Sequence, residues 1–141
     1  MEYTTEIVID ADREAVWETL ADIARWPEWD SGVISIDGDL VLGGKLKTVG
    51  EADPKRSFSV TVEELDGPNR TVWKGGMPLG PFSGTRTYEL SSAGTEETAT
   101  TFRMTEVFAG PLLGLIKRSM PDLQPFFDKF AAGLKAEVEA Q

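Results

Sequence analysis

The spacing of the apolar residues changes once along this chain, near Pro111, and that change constrains the fold more than any other feature. From Tyr3 to about Phe108 apolar residues mostly recur at every second position, apart from one helical patch near the start. Such alternation marks half-buried strands. After Pro111 the spacing is helical: Ile116, Met120, Leu123, Phe127, Phe130, Leu134 and Val138 follow in steps of four and three, on one helix face. A helix carrying that stripe must lie against a broad apolar surface. The preceding strands are the candidate surface, so the space between helix and sheet is where function should be sought.

Local signals divide the chain further. Tyr3–Ile9 reads as a strand, and Asp10 or Asp12 can cap a short helix, Arg13–Ala21, that turns Val16, Leu20 and Ile23 inward. Pro27 favours a second short helical piece around Ile23–Trp29. Six strand-like runs follow: Val33–Asp37, Lys45–Glu51, Ser57–Leu65, Thr71–Met77, Ser83–Ser91 and Thr98–Phe108. Turn residues separate them, at Gly43-Gly44, Asp53-Pro54, Asp66–Asn69 and Ser92–Gly94. Links this short favour an antiparallel meander. Pro121 and Pro125 break the last helical stretch, predicting a short segment Leu112–Arg118 and a main helix from Asp122 to Glu139. One antiparallel sheet gripping one long helix is an α+β architecture. No repeat or low-complexity linker interrupts it, so residues 1–141 read as a single domain.

Composition removes several kinds of chemistry. The chain has no Cys and no His, which excludes thiolate catalysis and removes the commonest base and metal ligand. The expectation is a protein without metal or cofactor. A net charge of −10 argues against nucleic acid and anionic membrane surfaces as partners. No stretch approaches a membrane span, and the start MEYTTEIVID lacks the pattern of a secretory signal. A cytoplasmic monomer is expected. Apparent motifs fail on inspection: Gly43-Gly44-Lys45 lacks the other phosphate-loop residues, and Ser83 has no His to activate it. The acidic pairs Glu63-Glu64 and Glu96-Glu97 read as solvated charge at strand ends and turns.

Several segments together resemble the START-like helix-grip superfamily (SRPBCC), in particular its bacterial polyketide cyclase/dehydrase and lipid transport group. They are IDADREAVWETLADIARWPEWDSGV, VWKGG, GTRTYEL, TFRMTEVFAGPL and FFDKFAAGLKAEVE. The resemblance spans nearly the whole chain. It implies a curved seven-stranded antiparallel sheet wrapped on the C-terminal helix, two short helices after the first strand, and a deep cavity between sheet and helix. Members bind lipids, sterols, polyketides or other apolar compounds, and a minority catalyse cyclisation or dehydration. The fold alone does not choose among these.

Strand parity nominates the residues facing that space. Phe82, Arg86 and Tyr88 share one face, Phe102, Met104, Glu106 and Phe108 the next, and Thr71, Trp73 and Met77 a third. The helix would offer Leu123, Phe126, Phe127 and Phe130. This is an aromatic, Met-containing wall suited to an apolar ligand, although the same residues would equally fill a dry core. Arg86 and Glu106 are the exceptions, and a charge on an inward face needs a partner. The hairpin centred on Gly94–Thr98 is expected to set Arg86 near Met104, with Glu106 diagonal to it. Arg86 would then hold a ligand oxygen with Glu106 orienting it, or the two would form a structural ion pair. If the protein is an enzyme, Glu106, Arg86 or Tyr88 would move protons. Trp26 and Trp29 read as pins holding the short helices to the sheet edge, with Trp17 partly exposed. The leading reading is a binder of a small apolar or amphipathic molecule. The alternatives are a cyclase- or dehydratase-type enzyme and a protein-interaction module.

Overall fold

Strands form where alternation and turn chemistry coincide. The computed structural model describes residues 1–95 and 98–141, so Glu96-Glu97 lies outside the described residues. Seven strands are present among them: β1 (Glu2–Ile9), β2 (Val33–Asp37), β3 (Lys45–Gly50), β4 (Phe58–Asp66), β5 (Arg70–Gly76), β6 (Ser83–Ser92) and β7 (Thr100–Ala109). They make one antiparallel sheet in the order β1-β7-β6-β5-β4-β3-β2. The meander therefore runs from β2 to β7, and β1 crosses over to close the far edge.

Helix α1 (Arg13–Ala21) starts where expected, because the Asp12 carboxylate accepts the Ala15 backbone N–H at 2.8 Å. A short 3-10 helix, Ile23–Glu28, follows it. Helix α2 is limited to Leu113–Ile116, and α3 runs Gln124–Glu139. The main helix starts two residues later than predicted: Asp122 accepts from Gln124 N at 3.1 Å, and Pro125 occupies the first turn, where its missing donor costs nothing. Ile116 and Met120 thus fall outside α3, and its buried stripe is Phe127, Phe130, Leu134 and Val138 with Ala131 and Gly133.

Three kinds of contact lay α3 across the sheet. Its inner stripe covers β1 and the adjoining part of β7. Thr5 Oγ1 donates to Asp128 at 2.9 Å, and Gln124 Nε2 donates to the Thr4 carbonyl at 2.9 Å. On the opposite flank Lys129 reaches Glu51 at 2.7 Å and Asp30 at 3.3 Å. Among the described residues no helix is long and apolar enough to cross a membrane.

Candidate functional site

Strand β6 sets the site. Gly84, Arg86 and Tyr88 alternate along it and so share its inner face. Pairing places Arg86 between Trp73 on β5 and Glu106 on β7, and Tyr88 between Thr71 and Met104. Here the structure corrects the register expected from sequence. Ser92 pairs with Thr100 and Ala93 N donates to the Ala99 carbonyl, so the strands pair two residues away from the expected alignment. Arg86 therefore stands directly opposite Glu106 rather than diagonal to it.

The two side chains meet at close range. Arg86 Nε donates to Glu106 Oε1 at 2.6 Å, with the side chains 34% and 12% exposed. The guanidinium carbon lies 4.8 Å from the centre of the Phe127 ring, so α3 supplies a π-face as a second partner for the charge. Burial alone would lower the Arg86 pKa, but Glu106 and Tyr88 beside it hold it above the ordinary arginine value. The pair uses one of the guanidinium's donor nitrogens. Among the described residues Nη1 and Nη2 meet no carboxylate or carbonyl acceptor, and Tyr88 is the other polar side chain acting on the guanidinium.

Tyr88 is the unusual member. The residue is 1% exposed, and its hydroxyl has no acceptor, although the Arg86 guanidinium lies close enough to act on its oxygen. Burial pushes its pKa up, against the opposing pull of Arg86, so the group stays a protonated donor at neutral pH. Gly84 makes room for the cluster. A Cβ there would sit 2.8 Å from Glu106 Oε2 and 3.0 Å from the Phe108 ring. Substituting Gly84 by Ala would therefore push the carboxylate or the ring out of place.

The other expected wall residues separate into three groups. Phe82 stacks on Phe108 at 5.7 Å, and Phe108 meets Tyr3 edge-on at 6.2 Å. With Phe127, and with half-buried Leu123, they form the apolar surround of the charged pair. Trp73, Phe102, Met104 and Phe130 are buried further in. Thr71 is buried too, but its hydroxyl is committed: it donates to the Glu64 carbonyl and accepts the Trp73 indole N–H, both at 2.9 Å. Met77 is not brought to the site. β5 ends at Gly76, which turns at φ 143°, and Met77 is left 46% exposed in the following loop. Phe126 is half-buried, outside the packed core.

Two residues essential to this arrangement were not assigned to it from sequence. Tyr3 pairs with Glu106 across β1 and β7 and packs on Phe127 at 5.7 Å. The signal for it was the parity of β1, whose inner row is Tyr3, Thr5, Ile7 and Ile9. Trp26 was expected at the sheet edge but occupies the middle. It stacks on Trp73 at 5.4 Å and meets Phe130 at 4.9 Å and Tyr88 at 5.9 Å. Its indole donates to the Leu20 carbonyl at 3.0 Å, which fixes the ring. The inner half of the space between sheet and helix is thus packed with rings, contrary to the deep cavity implied by the resemblance. The outer end of this space, its mouth, holds the part-exposed Arg86 and Glu106 beside buried Phe108. Two surface grooves lie elsewhere, one along the outer face of β3–β5 at Lys45 and Lys74, the other beside Asp12–Glu14 and Asn69.

A family model described as polyketide cyclase / dehydrase and lipid transport matches residues 1–139. No curated protein sequence matches the chain significantly. Among solved structures, a START superfamily protein from Mycobacterium smegmatis is 12% identical with a TM-score of 0.71, covering 99% of this chain and 97% of that one. The di-domain ARO/CYC protein BexL of the BE-7585A biosynthetic pathway is 18% identical with a TM-score of 0.71, matching 99% of this chain but 46% of its own. Norcoclaurine synthase of Thalictrum flavum, a point mutant bound to a transition-state analogue, is 8% identical with a TM-score of 0.71, over 99% of this chain and 94% of that one. At such identities the likeness establishes a shared helix-grip fold.

Proposed function

Since the chain belongs to the polyketide cyclase/dehydrase and lipid transport family, we propose that it binds a small amphipathic molecule at the mouth between β6, β7 and the start of α3. The polar end of the ligand sits on Arg86 and Tyr88, and its apolar part lies against Phe82, Phe108 and Phe127. The observation that carries this reading is a buried phenol with no acceptor, next to an arginine with unused donors, inside an aromatic surround. A core selected for stability alone would pair or omit such groups. Transfer of apolar ligand surface would add roughly 25 cal/mol per Å² before ordering costs. A sterol- or lipid-sized guest must displace Trp26, so compact ligands are favoured.

A second reading, catalysis, draws on Glu106. Its Oε2 accepts no hydrogen bond among the described residues, leaving it able to take a proton from a bound substrate. Turnover lost in Glu106→Gln with ligand binding intact would support that reading.

Native mass spectrometry of freshly purified protein tests the binding proposal through a co-purifying small molecule. The matching variant is Arg86→Leu, expected to weaken binding of that compound by about 10- to 100-fold, the worth of a charge-assisted hydrogen bond. Its thermal unfolding should stay cooperative. Global loss of structure in this variant would mean that the ion pair serves the fold instead.

A further inference from the structure

Building on the binding mode just proposed, we infer that the polar end of the ligand is an uncharged carbonyl oxygen, of a ketone, ester or amide, and not a carboxylate. Two donors lie side by side on the inner face of β6. The Tyr88 hydroxyl is enclosed and has no acceptor. The Arg86 Nη groups beside it likewise have none among the described residues, because Nε alone engages Glu106. The two side chains are close enough for each to shift the other's ionisation, and burial keeps the phenol in its donating form. An oxygen acceptor placed there would receive both hydrogen bonds.

The charge of that acceptor follows from Glu106. At 2.6 Å its carboxylate already neutralises Arg86. Its second oxygen lies where a Cβ on Gly84 would meet it, on the same face, so negative charge lines the approach. A ligand carboxylate would meet a like charge in a desolvated wall, where such pairs are strongly disfavoured. A carbonyl dipole accepts the same two bonds without that repulsion. Arg86 precedes Tyr88 on β6 as seen from the mouth and is one-third exposed, so a guest meets its side chain first.

The test is calorimetric titration near neutral pH with three naphthalenes of matched shape: methyl naphthyl ketone, naphthoate and ethylnaphthalene. The ketone should bind at least about tenfold more tightly than the hydrocarbon, since one neutral hydrogen bond is already worth that much and the guanidinium adds to it, and naphthoate should bind most weakly. Tyr88→Phe should lower the ratio of ketone to ethylnaphthalene affinity severalfold, the Arg86 bond remaining, and raise the melting temperature of the unliganded protein. Glu106→Gln should gain affinity for naphthoate. A ketone no tighter than the hydrocarbon, or naphthoate as the tightest probe, overturns this inference while leaving the binding proposal standing. Failure of all three to bind overturns both.

Discussion

Trp26→Ala is expected to lower the stability of the protein by about 3–5 kcal/mol, the range for deleting a large buried ring, and to turn the packed interior into a receptive one. Trp26 is 2% exposed and touches Trp73, Tyr88, Trp29 and Phe130 at once. No neighbour can fill its volume, because each is held by another element. Trp73 is pinned through Thr71, and Phe130 is carried on α3. For a domain of this size the loss corresponds to roughly 10–20 °C in melting temperature, a large share of a typical stability of 5–15 kcal/mol. The vacancy would be lined by aromatic faces, and such voids stay dry and take up small apolar molecules. Millimolar indole should therefore raise the melting temperature of Trp26→Ala and leave that of the unmutated protein unchanged. A variant that melts within a degree or two of the parent would show that the ring is not part of the core. Rescue by indole would identify Trp26 as the plug that limits the size of natural ligands.

The second large effect is expected at Gly133. In an exposed helix Gly→Ala stabilises by about 1 kcal/mol. Here the sign reverses, because a Cβ at this position would run into the Asp30 carbonyl and come within 3.3 Å of the Trp29 ring. Both belong to the bend that follows the 3-10 helix, and main chain cannot rotate away as a flexible side chain does. Relief requires lifting α3 off the bend, at the cost of the Lys129 bonds to Asp30 and Glu51 and the packing of Phe130 on Trp26. Gly133→Ala should lose about 1–3 kcal/mol, the usual cost of overpacking, and Gly133→Val more. Chemical denaturation of the two variants decides the matter. A stabilised Gly133→Ala would mean that helix and bend are further apart than described here.

Much of the fold is legible in the residues because local chemistry and long-range packing agree. The Asp12 cap, the alternation from β2 to β7 and the break at Pro121–Pro125 each place an element within one or two residues of where it forms. The inner faces of β6 and β7 are legible too, since parity is a local property. What parity cannot give is depth. Thr71 and Arg86 share an inward direction, yet one hydroxyl is consumed by an indole and a carbonyl while the other side chain reaches the mouth. The turn itself is legible: a hairpin centred on Gly94–Thr98 sets Arg86 opposite Glu106, as observed, and the expected Arg86–Met104 alignment was two residues out of step with that centre. The position of Trp26 was missed for a third reason. A short 3-10 helix has no long hydrophobic stripe to orient it, so its location is decided by the hole that the sheet and α3 leave between them.

The closing of β1 onto β7 has a consequence for biosynthesis. Among the described strands β1 is made before all the others and pairs with β7, which is made after them, and Thr5 waits for both Met104 and Asp128. Until β7 has been made, Tyr3, Ile7 and Ile9 lack their cross-strand partners Glu106, Phe102 and Thr100. Native pairing so distant in sequence is slow to nucleate. The edge of β1 is thus left open to holdase chaperones while the strands between it and β7 are being synthesised.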